Sequence, residues 1–213
     1  MNIVTIDFDI IMGPSIEGYN DIINDEIGMT QLCEKFPYFN NAKPDLYVYE
    51  YLTRFLVEAS KKIPAENFYF ISTHDLMYHI CDKLNEEVEI TNFDHHHDIL
   101  YNGDFKDPTL IVDAGNWVKA LFDIGKLKEY TWIGNVNSVM YDSKECPFEN
   151  KIYRYILKDF PMGDLANNTD MVVCCFSENY VPEIYQPLFL VWRAIIEEQF
   201  NKDYLIIDNK DNL

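Results

Sequence analysis

Short apolar or β-prone runs alternate along this chain with longer stretches whose apolar positions recur at helical spacing. Runs at residues 3–6, 68–72, 88–93, 110–113, 130–133 and 171–176 predict strands. The last is apolar throughout, the pattern of a strand buried on both faces. Residues 45–62 carry Val48, Leu52, Phe55, Leu56 and Ala59 on one helical face, bounded by Pro44 and Pro64. Three further helices are predicted at 75–84, with Thr73 or Asp75 as cap, at 117–124, and at 182–200, where Pro187 falls in the first turns. Residues 136–170 show no pattern strong enough to assign. Strand-then-helix alternation predicts an α/β fold, a three-layer α-β-α sandwich around a mostly parallel sheet, in one domain spanning residues 1–213. In such folds ligands bind beyond the C-terminal ends of the strands, so chemistry-bearing side chains are expected there.

They occur there. Asp7 and Asp9 end the first strand, His74 follows the second by two residues, and Asp94-His95-His96-His97-Asp98 follows the third directly. Alternate residues of an extended segment point the same way. Asp94, His96 and Asp98 are therefore expected to converge while His95 and His97 face elsewhere. Four aspartates brought together repel one another unless cations lie between them, and two divalent ions would balance the charge. Oxygen and imidazole donors without thiolate favour Mn²⁺, Fe²⁺, Co²⁺ or a catalytic Zn²⁺ over a structural zinc. A dinuclear site formed by Asp7, Asp9, His74, Asp94, His96 and Asp98 is the expectation, set against a polar loop cluster without metal. His79 lies on a predicted helix and reads as a surface residue.

Composition narrows the partners. The formal charge is −19, and no Lys/Arg cluster suited to a phosphate backbone is present, which argues against nucleic acid. An acidic surface instead attracts cations and guanidinium groups. The start, MNIVTIDFDI, lacks a basic leader region, and no apolar stretch is long enough for a membrane span. Cys33, Cys81, Cys146, Cys174 and Cys175 are odd in number and lack CxxC spacing, so a reducing, cytoplasmic setting is expected, with Cys174 and Cys175 packing as small hydrophobes.

The motifs resemble those of the arginase–deacetylase superfamily, in particular its ureohydrolases. There a His follows one strand, Asp-x-His-x-Asp the next, and Asp-x-Asp a later one. Here His74 and the Asp94–Asp98 segment stand in that order, whereas Asp7-Phe8-Asp9 comes first, so the resemblance implies a circularly permuted arrangement. Gly115-Asn116-Trp117-Val118 is similar to a segment of the divergent branch that includes peptide arginases. Membership would imply two Mn²⁺ ions, with Fe²⁺ or Co²⁺ as alternatives. Asp94 and one of Asp7 or Asp9 would bridge them, His74 and Asp98 would complete one ion, and His96 the other. It would imply attack of a metal-activated hydroxide, held by catalytic residues Asp94 and His96, on a guanidinium carbon, giving urea, with an arginine side chain in a peptide as substrate. Asn116, Trp117 and Glu178 would be its substrate-binding residues. Family members acting on free arginine carry a shuttle His after the metal motif. No His follows His97 here, so free arginine is the less supported substrate.

Other classes fit less of the pattern. Phe93–His96 resembles the signature of DHH-type two-metal phosphoesterases, but the first strand has no His and no Gly-rich GGGH-like segment is present. A haloacid-dehalogenase-like phosphatase needs Thr or Val where Ile11 stands, and an HD-domain hydrolase needs its His-Asp on helices. A non-catalytic, metal-stabilised binding module remains as a different class.

Overall fold

A computed structural model describes residues 1–12, 43–99, 110–136, 138, 148–177 and 181–200, and the backbone of 206–207. Seven strands form one sheet in which every pairing between strands is parallel. They are β1 (Asn2–Asp7), β2 (Phe68–Ile71), β3 (Val88–Phe93), β4 (Leu127–Gly134), β5 (Ile152–Ile156), β6 (Met171–Cys175) and β7 (Ile206–Ile207). Their order across the sheet is β5-β4-β3-β1-β6-β2-β7, which puts β1 in the middle. The helices among the described residues are α1 (Leu46–Ser60), α2 (Leu76–Lys83), α3 (Trp117–Asp123) and α4 (Gln186–Phe200).

Alternation within each strand separates two cores. Val4, Ile6 and Phe8 of the first strand region, with Phe68, Phe70, Val172 and Cys174, face α1 and α4. Ile3, Ile90, Val173 and Cys175 face α2 and α3 on the other side. The expected three-layer α-β-α architecture follows, with both faces covered as a parallel sheet requires. Helix α1 begins where the Asp45 carboxylate accepts hydrogen bonds from the Tyr47 and Val48 amides, at 2.9 and 3.2 Å. It packs on α4 through Tyr49, stacked on Trp192 with centroids 5.3 Å apart. The Trp192 indole N–H donates to Thr53 Oγ1 at 2.7 Å. No helix among the described residues is long and apolar enough to cross a membrane.

Several boundaries differ from the sequence expectation. Residues 110–113 form no strand. There the Asp113 amide donates to Asn116 Oδ1 and the Gly115 amide to Asp113 Oδ1, each at 2.9 Å, and these local bonds replace a ladder. An unassigned strand, β5, lies within 136–170 at the sheet edge. Helix α4 begins at Gln186 after a 3-10 turn at Glu183–Tyr185, so Pro187 sits in the first turn, where its missing N–H costs no intrahelical bond. Asp75 takes the N-cap position of α2 but makes no side-chain capping bond.

Candidate metal centre

Three strand ends meet at the C-terminal edge of the sheet. Asp7 is the last residue of β1, and Asp9 lies in the 3-10 turn Phe8–Ile11 that follows. His74 sits between β2 and α2, and residues 94–98 leave β3. Asp7, Asp9, His74, Asp94 and Asp98 are all buried. The His96 side chain is 29% exposed and forms the open side of the cluster.

His74 Nδ1 lies 3.3 Å from Asp7 Oδ2, 3.1 Å from Asp94 Oδ2 and 3.0 Å from Asp98 Oδ2. His96 Nδ1 lies 3.0 Å from Asp9 Oδ2 and 3.9 Å from Asp94 Oδ1. Two groups can each hold a cation, Asp7–His74–Asp94 and Asp9–Asp94–His96, and Asp94 belongs to both. Asp94, His96 and Asp98 thus converge with Asp7, Asp9 and His74, as expected.

Metal fits this geometry better than hydrogen bonding does. One imidazole nitrogen carries at most one proton, so it cannot donate to three carboxylates at once. Ligand atoms about 3 Å apart are the spacing set by an octahedral cation with bonds of about 2.1 Å. His74 Nδ1 and Asp9 Oδ2 are buried and make no hydrogen bond. Thr5 Oγ1 lies 2.9 Å from His74 Nε2. The tautomer that donates Nε2–H to Thr5 leaves the Nδ1 lone pair facing the carboxylates, which is repulsive until a proton or a metal ion occupies that position.

Electrostatics carry the same mark. Burial, with the charges of Asp7 and Asp94, pushes Asp9 up to about 7, against the pull of His96. Burial and the Asp94 charge likewise hold Asp98 well above the carboxylate range. Burial works against ionised Asp94, yet His74 and then His96 hold it low. Burial also disfavours the charged imidazoles, but carboxylates outweigh it, raising His96 to about 9 and His74 well above its usual value. Burial and the neighbouring His96 push His95 down to about 3 and His97 to about 4. Opposed shifts in so small a volume are the pattern of a candidate functional site.

Outer donors aim the carboxylates. Ser177 Oγ donates to Asp7 Oδ2 at 2.6 Å, and the Trp117 indole N–H to Asp98 Oδ2 at 2.7 Å. The His95 amide donates to Asp9 Oδ1 at 3.2 Å and the His96 amide to Asp94 Oδ1 at 2.8 Å. Asp98 and Ser177 hold positive φ, 55° and 45°, the only non-glycine residues among those described to do so. For side chains with a Cβ that backbone is costly, and it recurs where function dictates geometry.

His95 and His97 point away from the two cation groups, as expected from alternation. His95 Nδ1 lies 3.2 Å from Asn135 Nδ2, and His97 Nδ1 accepts from the Ile99 amide at 3.0 Å. His95→Ala should therefore leave metal content unchanged, whereas His96→Ala should remove one ion per chain. Elemental analysis after dialysis reads both, and loss of an ion from the His95 variant alone would reverse the assignment.

The residues expected to touch substrate are placed differently. Trp117 is fully buried behind Asp98, its ring 4.9 Å from that of His74, with no exposed face for a guanidinium to stack on. Asn116 is buried too. Its side chain braces its own loop by accepting from the Asp113 amide and donating to the Ile111 carbonyl, at 2.9 and 3.3 Å. Glu178, Cys33 and Cys146 lie outside the described residues. Cys174 and Cys175 are buried free thiols, and His79 is half-buried on α2. Thr5, Asn92 and Ser177 are contributors that motif spacing does not reveal. The available signal was a polar residue inside each of two apolar strands, and a Ser just past a third.

Comparison with protein-family models, with curated proteins and with solved structures returned no match. Fold and site together define an α/β protein with a candidate two-cation centre at the C-terminal edge of its sheet.

Proposed function

We propose that this chain is a metallohydrolase of the ureohydrolase type that cleaves a guanidino carbon–nitrogen bond, with arginine side chains in peptides as its substrate class. The observation that carries the proposal is the pair of cation groups sharing Asp94. A bound pair of divalent ions, Mn²⁺ or in its place Fe²⁺ or Co²⁺, supplies Lewis acidity and a water acidic enough to act as nucleophile near neutral pH. Asp94 keeps the two positions adjacent. Asp7 and His74, with Asp98 beside them, form the inner position, and Asp9 and His96 form the outer one. Because His96 is the partly exposed member, substrate approaches from its side.

Charge favours a guanidinium over a phosphoester. The side chains that make up the two groups are all Asp or His, and no Lys or Arg donates to them among the described contacts. The formal charge of −19 draws a guanidinium cation toward the chain and repels a phosphate dianion at long range. A reducing, cytoplasmic setting belongs to the same proposal and is consistent with the free thiols of Cys81, Cys174 and Cys175.

Elemental analysis of purified protein, followed by urea release from free arginine, agmatine and arginine-containing peptides, tests the proposal. Two ions per chain and urea from the peptides are expected. Phosphate release from a phosphoester without urea would favour the DHH-type alternative. One ion or none, with no turnover, would favour a binding module.

A further inference from the structure

Beneath the cation groups, on the α2/α3 side of the sheet, runs a line of buried polar side chains that does no packing work an apolar residue could not do better. Asn92 of β3 is its centre. One amide hydrogen goes to Asp94 Oδ2 at 3.0 Å and the other to the Tyr130 hydroxyl oxygen at 2.8 Å. The Tyr130 hydroxyl donates in turn to the His97 carbonyl at 3.1 Å. Two residues along β4, the Trp132 indole N–H donates to the Asp94 carbonyl at 3.0 Å. All three side chains are fully buried.

The direction of each bond is forced. Tyr130 has committed its single hydrogen to His97, so its oxygen can only accept from Asn92. The Asn92 amide therefore cannot turn over, because its carbonyl oxygen would then face both the Asp94 carboxylate and the lone pairs of Tyr130. The chosen orientation leaves Asn92 Oδ1 buried without a hydrogen-bond partner. A buried orphan oxygen is destabilising, and it is tolerated here by the one orientation that presents an N–H to Asp94.

We propose that Asn92 and Tyr130 are positioning residues for the shared ligand. Tyr130 locks the Asn92 amide, Asn92 sets the rotamer of the Asp94 carboxylate, and through Asp94 the pair controls both ion positions together. This rests on the two-ion proposal above and goes beyond it by assigning the control of both ions to a residue pair across β3 and β4. Among the other described side-chain donors to these ligands, Thr5 contacts His74 and Trp117 contacts Asp98, each at one position.

The experiment is calorimetric titration of the metal-free full-length chain with Mn²⁺, backed by elemental analysis, on wild type, Tyr130→Phe, Asn92→Ser and Thr5→Val. Tyr130→Phe keeps the ring and removes only the oxygen, and Asn92→Ser is the second probe should the first fold poorly. Loss of such an outer contact weakens metal binding by roughly 10–100-fold. Both dissociation constants should rise together in Tyr130→Phe and Asn92→Ser, whereas Thr5→Val should weaken one ion and spare the other. Wild-type binding in Tyr130→Phe, or weakening of only one ion, overturns the assignment while leaving the two-ion proposal intact. A wild-type chain that binds no Mn²⁺ would overturn both.

Discussion

Asp94→Asn should empty both ion positions at once. The amide keeps the shape of the carboxylate, and its single oxygen can still accept from either Asn92 or the His96 amide, so one of the two bonds is kept. What disappears is the one negative charge common to both cation groups. At a metal concentration that saturates wild type, the variant should retain less than about one tenth of the metal, an affinity loss beyond the roughly 10–100-fold that outer contacts carry. Urea release should fall with it. Elemental analysis beside the activity assay gives the answer, and a variant that still holds two ions would show that Asp94 is not shared.

The second large effect is on stability, and its sign changes with the metal. In the metal-free chain, His96 is raised to about 9 and His74 well above 6.5. A group whose pKa rises on folding stabilises the fold while protonated, and that stabilisation is lost as pH climbs through its folded value. Asp9, raised from 3.8 to about 7, works in the same direction, but over the range between those two values, so it adds only to the start of this window. His95 and His97 are depressed to about 3 and 4, so they act only on the acid side of 6.5. Between pH 6.5 and 9 the melting temperature of the metal-free chain should therefore fall. Metal reverses this, since ligands that have lost their protons bind it more tightly. Each ion present at about 100 times its dissociation constant adds about 2.7 kcal/mol, or roughly 5–10 °C for a chain of this size. Thermal melts with and without Mn²⁺ at pH 6.5, 8 and 9 provide the test. A metal-free melting temperature that rises over this range, or no shift with metal at pH 8, would contradict the picture.

Much of the architecture was legible because local pattern and tertiary environment agree. The uninterrupted apolar run of β6 and the helical face of α1 have one reasonable placement each, and both occur as expected. The cation ligands were legible for a different reason. In a parallel sheet the strand ends share an edge, so residues far apart in sequence can be placed together without knowing strand order. What was hidden depended on neighbours. Strand β5, with Tyr153 and Tyr155 turned outward, has an edge-strand pattern too short to stand out alone. Residues 110–113 have strand-like side chains, but Asp113 and Asn116 close a local turn that no hydrophobic pattern reports. Trp117 opens an apolar helix beside the ligands, and only the fold shows that it faces the back of Asp98. Asn92 and Tyr130 form their bond across neighbouring strands, which single-residue spacing cannot display.

The central place of β1 has a consequence for biosynthesis. This strand is translated well before one of its flanking partners, β6, which spans residues 171–175. At about 5–20 residues per second, the growing polypeptide carries an unpaired, strongly apolar ribbon for about 10–30 s before that slot can close. A nascent chain halted short of β6 would expose a sticky edge suited to a holdase chaperone.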